Sequence, residues 1–240
     1  MPPNTTFHFK QFTINQDRCA MKVTSDACIF GAWIELQQNS RVLDVGTGTG
    51  LLSLMAAQKC DLVIDAVEID VDAAEQAREN VAESPWKERI TVINRSLQKH
   101  AAIKEMEGAY DTIICNPPFY DQKRKPQDYR KRIAWHSERL NLDHLVKAVD
   151  HLMSGSGSLF LLIPFSVKNK LELICETKNL YPRKLCGLCS FENRPPHRLM
   201  AEFTRFQQSP EISELIVYQT KNEYSLDCKR LLCSFFASLP

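Results

Sequence analysis

One stretch constrains this chain more than any other. Arg41-Val42-Leu43-Asp44-Val45 runs straight into Gly46-Thr47-Gly48-Thr49-Gly50 and then into Leu51-Leu52-Ser53-Leu54-Met55-Ala56-Ala57-Gln58. A short β-branched, apolar run suits a strand buried on both faces. Glycines allow turns closed to other residues and leave room where a Cβ would stand. The third segment has the composition of a helix. Strand, glycine turn and helix together open a βαβ unit, whose ligands bind at the carboxyl ends of the strands.

The same alternation continues. Leu62–Val67 is a strand ending at Glu68-Ile69-Asp70, followed by a helix over Asp72–Ala82. Ile90–Ile93 and Tyr110–Cys115 are further strands. A helix over Leu140–Met153 places Leu142, Leu145, Val146, Val149 and Leu152 on one face. Ser154-Gly155-Ser156-Gly157 reads as a flexible turn before a fifth buried strand, Ser158–Ile163. After Pro164 the pattern predicts a helix at Lys168–Thr177 and a hairpin of Arg183–Phe191 and Arg198–Phe206. An edge strand at Ile212–Tyr218 and a closing helix at Tyr224–Phe236 complete the chain. At the front, Phe7–Asn15 alternates as one half-buried strand or lid, and Asp26 is expected to cap a helix over Ala27–Ile34.

The expected fold is therefore α/β and Rossmann-like: a mostly parallel twisted sheet, helices on both faces and a C-terminal antiparallel hairpin. One domain is expected, with an extension at 1–34, a ligand-binding core at 41–165 and a C-terminal part at 166–240. A length of 240 residues, 44% of them hydrophobic, suits that size. The formal charge of +1 announces no polyanionic partner through a global field, so a basic footprint has to be local. No run approaches the ~18 apolar residues of a membrane helix, and Met1–Thr6 lacks the pattern of a secretory signal. Nine cysteines are an odd number scattered in apolar runs, which predicts free thiols and a cytoplasmic protein. Cys186-Gly187-Leu188-Cys189 has no second pair to complete a metal site, so none is expected.

The glycine loop differs from the nicotinamide fingerprint G-x-G-x-x-G. Position 51 is Leu, and the third glycine comes one residue early. Asp44, two residues before the first glycine, would repel a pyrophosphate but suits a cofactor with an amino group or a cationic centre, as S-adenosylmethionine has. Glu68, 22 residues after Gly46 at a strand end, is placed to accept from two ribose hydroxyls. Gly46, Thr47, Gly48, Gly50, Ile69 and Asn116 join Asp44 and Glu68 as expected cofactor-binding residues. A nicotinamide oxidoreductase is disfavoured on the same residues.

Asn116-Pro117-Pro118-Phe119-Tyr120 closes the Tyr110–Cys115 strand. The prolines end the ladder, and Asn116 before them is biased to extended geometry. The lone pair of an exocyclic adenine nitrogen is delocalised into the ring. Acceptors on both its N–H groups favour a pyramidal, nucleophilic nitrogen, and the Asn116 side-chain oxygen and Pro117 carbonyl can be those acceptors. Pro118 stiffens the turn and Phe119 can stack on a flipped base. No strong general base is needed, because alignment supplies the rate.

With these motifs, the chain resembles the class I S-adenosylmethionine-dependent methyltransferases that act on amino groups. More narrowly, it is similar to the bacterial tRNA1(Val) (adenine-N6)-methyltransferases, which modify the adenosine 3′ of the valine anticodon, at position 37. Met21-Lys22-Val23-Thr24-Ser25-Asp26-Ala27 is similar to that family's N-terminal motif, although the family has Gly-Thr-Asp-Gly for the last four residues. The resemblance implies that Ser25 and Asp26 serve the methionine end of the cofactor, with Lys22 a further expected cofactor-binding residue. It also implies an adenine contact after the third strand, where Asn94-Arg95-Ser96-Leu97 carries no acid, leaving Ser96 and the backbone near Leu97. The Asn-Pro-Pro motif is shared with release-factor glutamine methyltransferases and rRNA amino methyltransferases, so these stay open as alternatives. A non-catalytic RNA-binding module on the same fold is a further one.

Residues 121–139 carry seven Lys/Arg against three acids, with Tyr129, Trp135 and His136 among them. Lys123, Arg124, Lys125, Arg130, Lys131 and Arg132 are the expected RNA-binding residues, because they adjoin the Asn-Pro-Pro turn and would neutralise phosphates beside it. Arg194 and Arg198 can extend that surface. The expected partner is tRNA, engaged by a monomer without metal.

Overall fold

The computed structural model describes residues 5–19, 21–38, 40–117, 141–221 and 223–238. Its strands are β1 (Thr6–His8), β2 (Thr13–Asn15), β3 (Arg41–Val45), β4 (Val63–Glu68), β5 (Ile90–Asn94) and β6 (Tyr110–Cys115), then β7 (Met153–Pro164), β8 (Tyr181–Cys189), β9 (Arg198–Thr204), β10 (Glu211–Ile216), β11 (Tyr218–Thr220) and β12 (Glu223–Tyr224). Its α-helices are α1 (Ser25–Trp33), α2 (Leu51–Lys59), α3 (Val71–Ala82), α4 (Leu97–Ala101), α5 (Leu142–Leu152), α6 (Lys168–Glu176) and α7 (Leu226–Leu232).

Eight strands form one sheet in the order β10-β8-β9-β7-β6-β3-β4-β5. β3 runs parallel to β4 and β6, β4 to β5 and β6 to β7, while β9 lies antiparallel to both β7 and β8. The Rossmann-like fold and the late hairpin are as expected, with a second small ribbon of β11 and β12. Two apolar cores lie on opposite faces. One gathers α1, α2, α7 and the inner side of α3; the other gathers α4, α5 and α6. Leu54, Met55, Leu145 and Val149 are fully buried, each contributing about 1.5–3 kcal/mol of transfer free energy.

At the amino edge, a polar cluster pins the starts of three strands. The Tyr110 hydroxyl donates to Asp65 Oδ2 at 2.7 Å and meets His100 Nε2 at 2.8 Å, while Arg41 pairs with the same Asp65 oxygen at 2.8 Å. Burial pushes the Tyr110 phenol pKa up and the His100 pKa down. This cluster lies at the opposite end of the strands from the glycine loop.

Five local expectations change. Thr24, not Asp26, caps α1, accepting from Ala27 N at 3.2 Å, because the helix begins two residues earlier than its apolar run. Phe7–Asn15 folds as the antiparallel hairpin β1–β2 rather than one strand, its turn held by Phe9 N donating to Phe12 O at 2.9 Å. The Ser154–Gly157 stretch is an excursion within β7, since Met153 pairs with Tyr110 and Ser158 with Thr112. The predicted strand at Ile212–Tyr218 ends at Ile216 and pairs parallel with β8 at the sheet edge. Finally, Tyr224 belongs to β12 and Ser225 caps α7, so the last helix is shorter than predicted.

All nine cysteines are free. Cys186 and Cys189 lie three apart in β8, where side chains alternate between faces, so they cannot chelate together. Among the described residues, no group of three or more His, Cys, Asp or Glu side chains could hold a metal, and no helix is long and apolar enough to cross a membrane.

Candidate functional site

The strand register brings the loop residues together. Val45 pairs with Val67 on one side and Cys115 on the other, and Glu68 pairs with Asn94. The glycine loop, Glu68, the Asn94–Ser96 turn and Asn116 therefore leave four neighbouring strands at one carboxyl edge.

Asp44, in the last turn of pleat before the loop, is fully buried. Its Oδ2 accepts from Thr47 Oγ1 at 2.6 Å, Ser53 Oγ at 2.7 Å and Ser53 N at 3.1 Å. Its Oδ1 is buried with no hydrogen-bond partner among the described residues. Desolvation raises the Asp44 pKa, opposed by those hydrogen bonds. Ser53 was not singled out from the sequence; a lone hydroxyl inside Leu-Leu-Ser-Leu-Met was the available signal.

The loop is closed on itself. Gly46 N donates to Val67 O at 2.8 Å, Thr47 N to the same carbonyl at 3.2 Å, and Gly50 N to Thr47 O at 2.9 Å. Gly48 N donates to Glu68 Oε2 at 2.9 Å. Gly46 and Gly48 have φ of +69° and +56°, and a Cβ on either would meet nothing within 4 Å. The glycines thus line open space, and their N–H groups are already engaged.

Glu68 is nearly buried, and its other oxygen accepts from Asp70 N at 2.9 Å. Desolvation raises its pKa, while backbone N–H donors lower it. The next helix is capped by Asp70, whose Oδ1 accepts from Ala73 N at 2.9 Å. Ile69, between these acids, is exposed. Arg95 N and the Asn94 amide both bond to Glu68 O, at 2.9 Å each. Ser96 caps α4 by accepting from Lys99 N at 3.3 Å, and Leu97 is buried. The Ser96 hydroxyl is thus occupied in holding its own helix.

Asn116 follows β6 directly and is half-buried, and Pro117 is buried. Burial, with Asp44 and Glu68 nearby, pushes the Cys115 thiol pKa well up. Pro118, Phe119 and the basic residues Lys123, Arg124, Lys125, Arg130, Lys131 and Arg132 lie outside the described residues.

The N-terminal segment reaches the same edge. Lys22 Nζ bonds to the Gln16 carbonyl. The Ser25 hydroxyl accepts from Tyr218 and Tyr224, at 3.2 and 3.1 Å. Asp26 pairs with His197 at 3.3 Å and Arg198 at 3.5 Å. Arg198 is thereby drawn inward to α1 rather than left as a free surface cation.

The donor and acceptor chemistry has a definite bias. Two carboxylates and open glycine surface fit a ligand with hydroxyl donors and positive charge, including an S-adenosyl group. Four engaged loop N–H groups fit a pyrophosphate poorly.

Comparison with known proteins agrees with this geometry. Residues 27–162 match the family model "Methyltransferase small domain". A Bacteroides fragilis protein named tRNA1(Val) (adenine(37)-N6)-methyltransferase is 35% identical over 233 residues, covering 97% of this chain and 98% of that protein. Proteins of the same name from Christiangramia forsetii and Dyadobacter fermentans are 37% and 39% identical, covering 98% and 91% of this chain and 99% and 91% of their own lengths. Among solved structures, an Agrobacterium tumefaciens protein described as a predicted O-methyltransferase superposes with a TM-score of 0.66 at 14% identity, over 87% of this chain and 96% of its own. A ribosomal protein L11 methylase from Lactobacillus delbrueckii gives 0.57 at 17% identity, over 81% and 84%. These two likenesses speak to the fold.

Proposed function

Since the chain belongs to the methyltransferase small domain family, alongside relatives named tRNA1(Val) (adenine(37)-N6)-methyltransferases, we propose that it methylates N6 of an adenosine in tRNA. The methyl donor is S-adenosylmethionine, and the target is the adenosine at position 37 of valine tRNA. The observation that carries this is the meeting, at one sheet edge, of two buried carboxylates, a self-bonded glycine loop and the Asn116-Pro117 strand end.

When bound, the cofactor supplies an electrophilic methyl group on a sulfonium. Asp44 and Glu68 offer acceptors, Asp44 Oδ1 to the positively charged end and Glu68 to the ribose hydroxyls. Gly46 and Gly48 leave the space that a nucleoside needs. Lys22, Ser25 and Asp26 serve the methionine end, with Asp26 shared between that end and its partners His197 and Arg198.

On the substrate side, the Asn116 amide oxygen and the Pro117 carbonyl accept the two N–H groups of the adenine amine and direct its lone pair. The amine reaches them only once the base has left its stack. Phe119 provides a stacking face, and Lys123–Lys125 with Arg130–Arg132 neutralise the neighbouring phosphates. Acceptors placed in advance of reaction stabilise the charge that develops on the nitrogen.

The test supplies labelled S-adenosylmethionine and tRNA from a strain lacking this gene, followed by nucleoside analysis. Label in N6-methyladenosine at position 37 is expected. Label in N2-methylguanosine, or no label in the tRNA, would overturn the assignment.

A further inference from the structure

Two amides on α3 hold the site from behind, and the proposed cofactor chemistry does not use either of them. Gln76 and Asn80 are four residues apart, one above the other on the same helix face, and both are fully buried. Gln76 Oε1 accepts from Arg18 N at 3.0 Å and Cys19 N at 3.1 Å, and its Nε2 donates to Asp17 Oδ1 at 2.6 Å. Asn80 Oδ1 accepts from Asn15 N at 2.9 Å. Its Nδ2 donates to Asn15 O at 2.9 Å and to Thr49 O at 2.8 Å.

Thr49 stands between Gly48 and Gly50, so Asn80 joins the glycine loop to the N-terminal segment through one side chain. The same helix is seated closely at that point, where a Cβ on Gly50 would lie 3.7 Å from the Ala77 Cβ. It also begins at Asp70, whose N–H is held by Glu68. One helix therefore registers three parts of the site against one another: the loop, the Glu68 strand end and the segment leading to Lys22 and Ser25. The rest of its inner face is Ala73, Ala74, Ala77 and Val81. An apolar residue at 80 would continue that stripe but would leave the Thr49 carbonyl and both backbone groups of Asn15 without this partner.

We propose that Asn80 is a positioning residue for the cofactor, supported by Gln76. It sets the height of the glycine loop and couples Asn15 and the Asp17–Cys19 stretch to cofactor binding. The proposal rests on the S-adenosylmethionine reading above.

The test uses the full chain and compares Asn80→Leu and Gln76→Leu with the unaltered protein. Asn80→Leu is expected to raise KM for S-adenosylmethionine about tenfold or more, the loss of buried hydrogen bonds to the loop. Its kcat at saturation and its KM for tRNA stay within about threefold, because no reacting group is touched. Gln76→Leu gives a smaller shift in the same direction. In the unaltered chain, adding S-adenosylhomocysteine should slow hydrogen exchange in residues 15–19 and 46–50 with the same half-saturating concentration.

A folded Asn80→Leu protein with unchanged cofactor KM, or with only kcat reduced, overturns the proposal. If that variant fails to fold, the exchange measurement decides: protection of 46–50 without any at 15–19 overturns it equally. A chain that binds no S-adenosylhomocysteine in calorimetry overturns the methyltransferase reading itself, which separates the two failures.

Discussion

Ser53 gives Asp44 both its backbone N–H and its hydroxyl, at 3.1 and 2.7 Å, and both land on the same carboxylate oxygen. With Thr47 also on Oδ2, one oxygen of Asp44 is anchored by the chain and the other, Oδ1, is left without a partner among the described residues. The helix after the glycine loop thus fixes the orientation of an acid in the strand before it.

Removing the Ser53 hydroxyl should loosen that orientation while leaving the fold intact. Ser53→Ala is expected to weaken S-adenosylmethionine binding by about 1 kcal/mol, the net worth of one such hydrogen bond, roughly fivefold in Kd. Calorimetry with S-adenosylhomocysteine measures this, and an unchanged Kd would show that Asp44 does not depend on Ser53.

Acidification should weaken cofactor binding earlier than ordinary carboxylates would. Burial raises the pKa of both Asp44 and Glu68. For folding alone, such groups contribute stability below their unfolded pKa, and that contribution is lost as pH rises through the folded pKa. Ligand affinity has the opposite sign, because the cationic, hydroxylated cofactor needs both acids ionised. Affinity should fall as pH drops from neutral, beginning above the ordinary carboxylate range, as read by calorimetry with S-adenosylhomocysteine in a pH series. A flat profile down to the ordinary carboxylate range would remove these two acids from the binding site.

Asn116→Ala should separate catalysis from binding. Turnover is expected to fall by about two orders of magnitude or more, comparable to losing one preorganised polar contact in other enzymes. Cofactor Kd should change little. Steady-state kinetics at saturating tRNA checks the first part and calorimetry the second; turnover close to that of the unaltered chain would take the amide out of the mechanism.

Gly157 tests the sheet rather than the site. A Cβ there would stand 2.5 Å from Met153 Cγ and 3.1 Å from the Tyr110 carbonyl, within the excursion between β6 and β7. Gly157→Ala should cost about 1–3 kcal/mol through overpacking, lowering Tm by a few degrees. Activity at room temperature should be retained, because this end of the strands lies away from Asn116. Thermal melts and a methylation assay read the two halves.

What was legible in the sequence follows from how local each signal is. Apolar periodicity marked the central strands from β3 to β7 and the helices α2, α3 and α5, because a doubly covered sheet writes its burial into consecutive residues; α4, five residues long, is too short to show such a period. Asp44 and Glu68 were legible because each stands at a fixed distance from the glycines. Asn80 and Gln76 were not, since their partners, backbone groups and the Asp17 carboxylate, lie more than thirty residues away, although two amides in an alanine stripe were a visible anomaly. The cap of α1 was misplaced because Thr24 and Asp26 are both good capping residues, and only the start of the helix chooses between them. The Ser154–Gly157 turn and β7 were both partly right: glycines and serines signalled a break, and the strand absorbs it as an irregularity.

The closed hydrogen bonding of the glycine loop has a consequence for competition. ATP carries the same adenosine as S-adenosylmethionine, so adenosine recognition alone could not tell the two apart. With Gly46, Thr47, Gly48 and Gly50 already donating inward, a triphosphate tail would find these four amides occupied and would face two acids. Selectivity for the methyl donor would then arise from what the loop withholds as much as from what it offers.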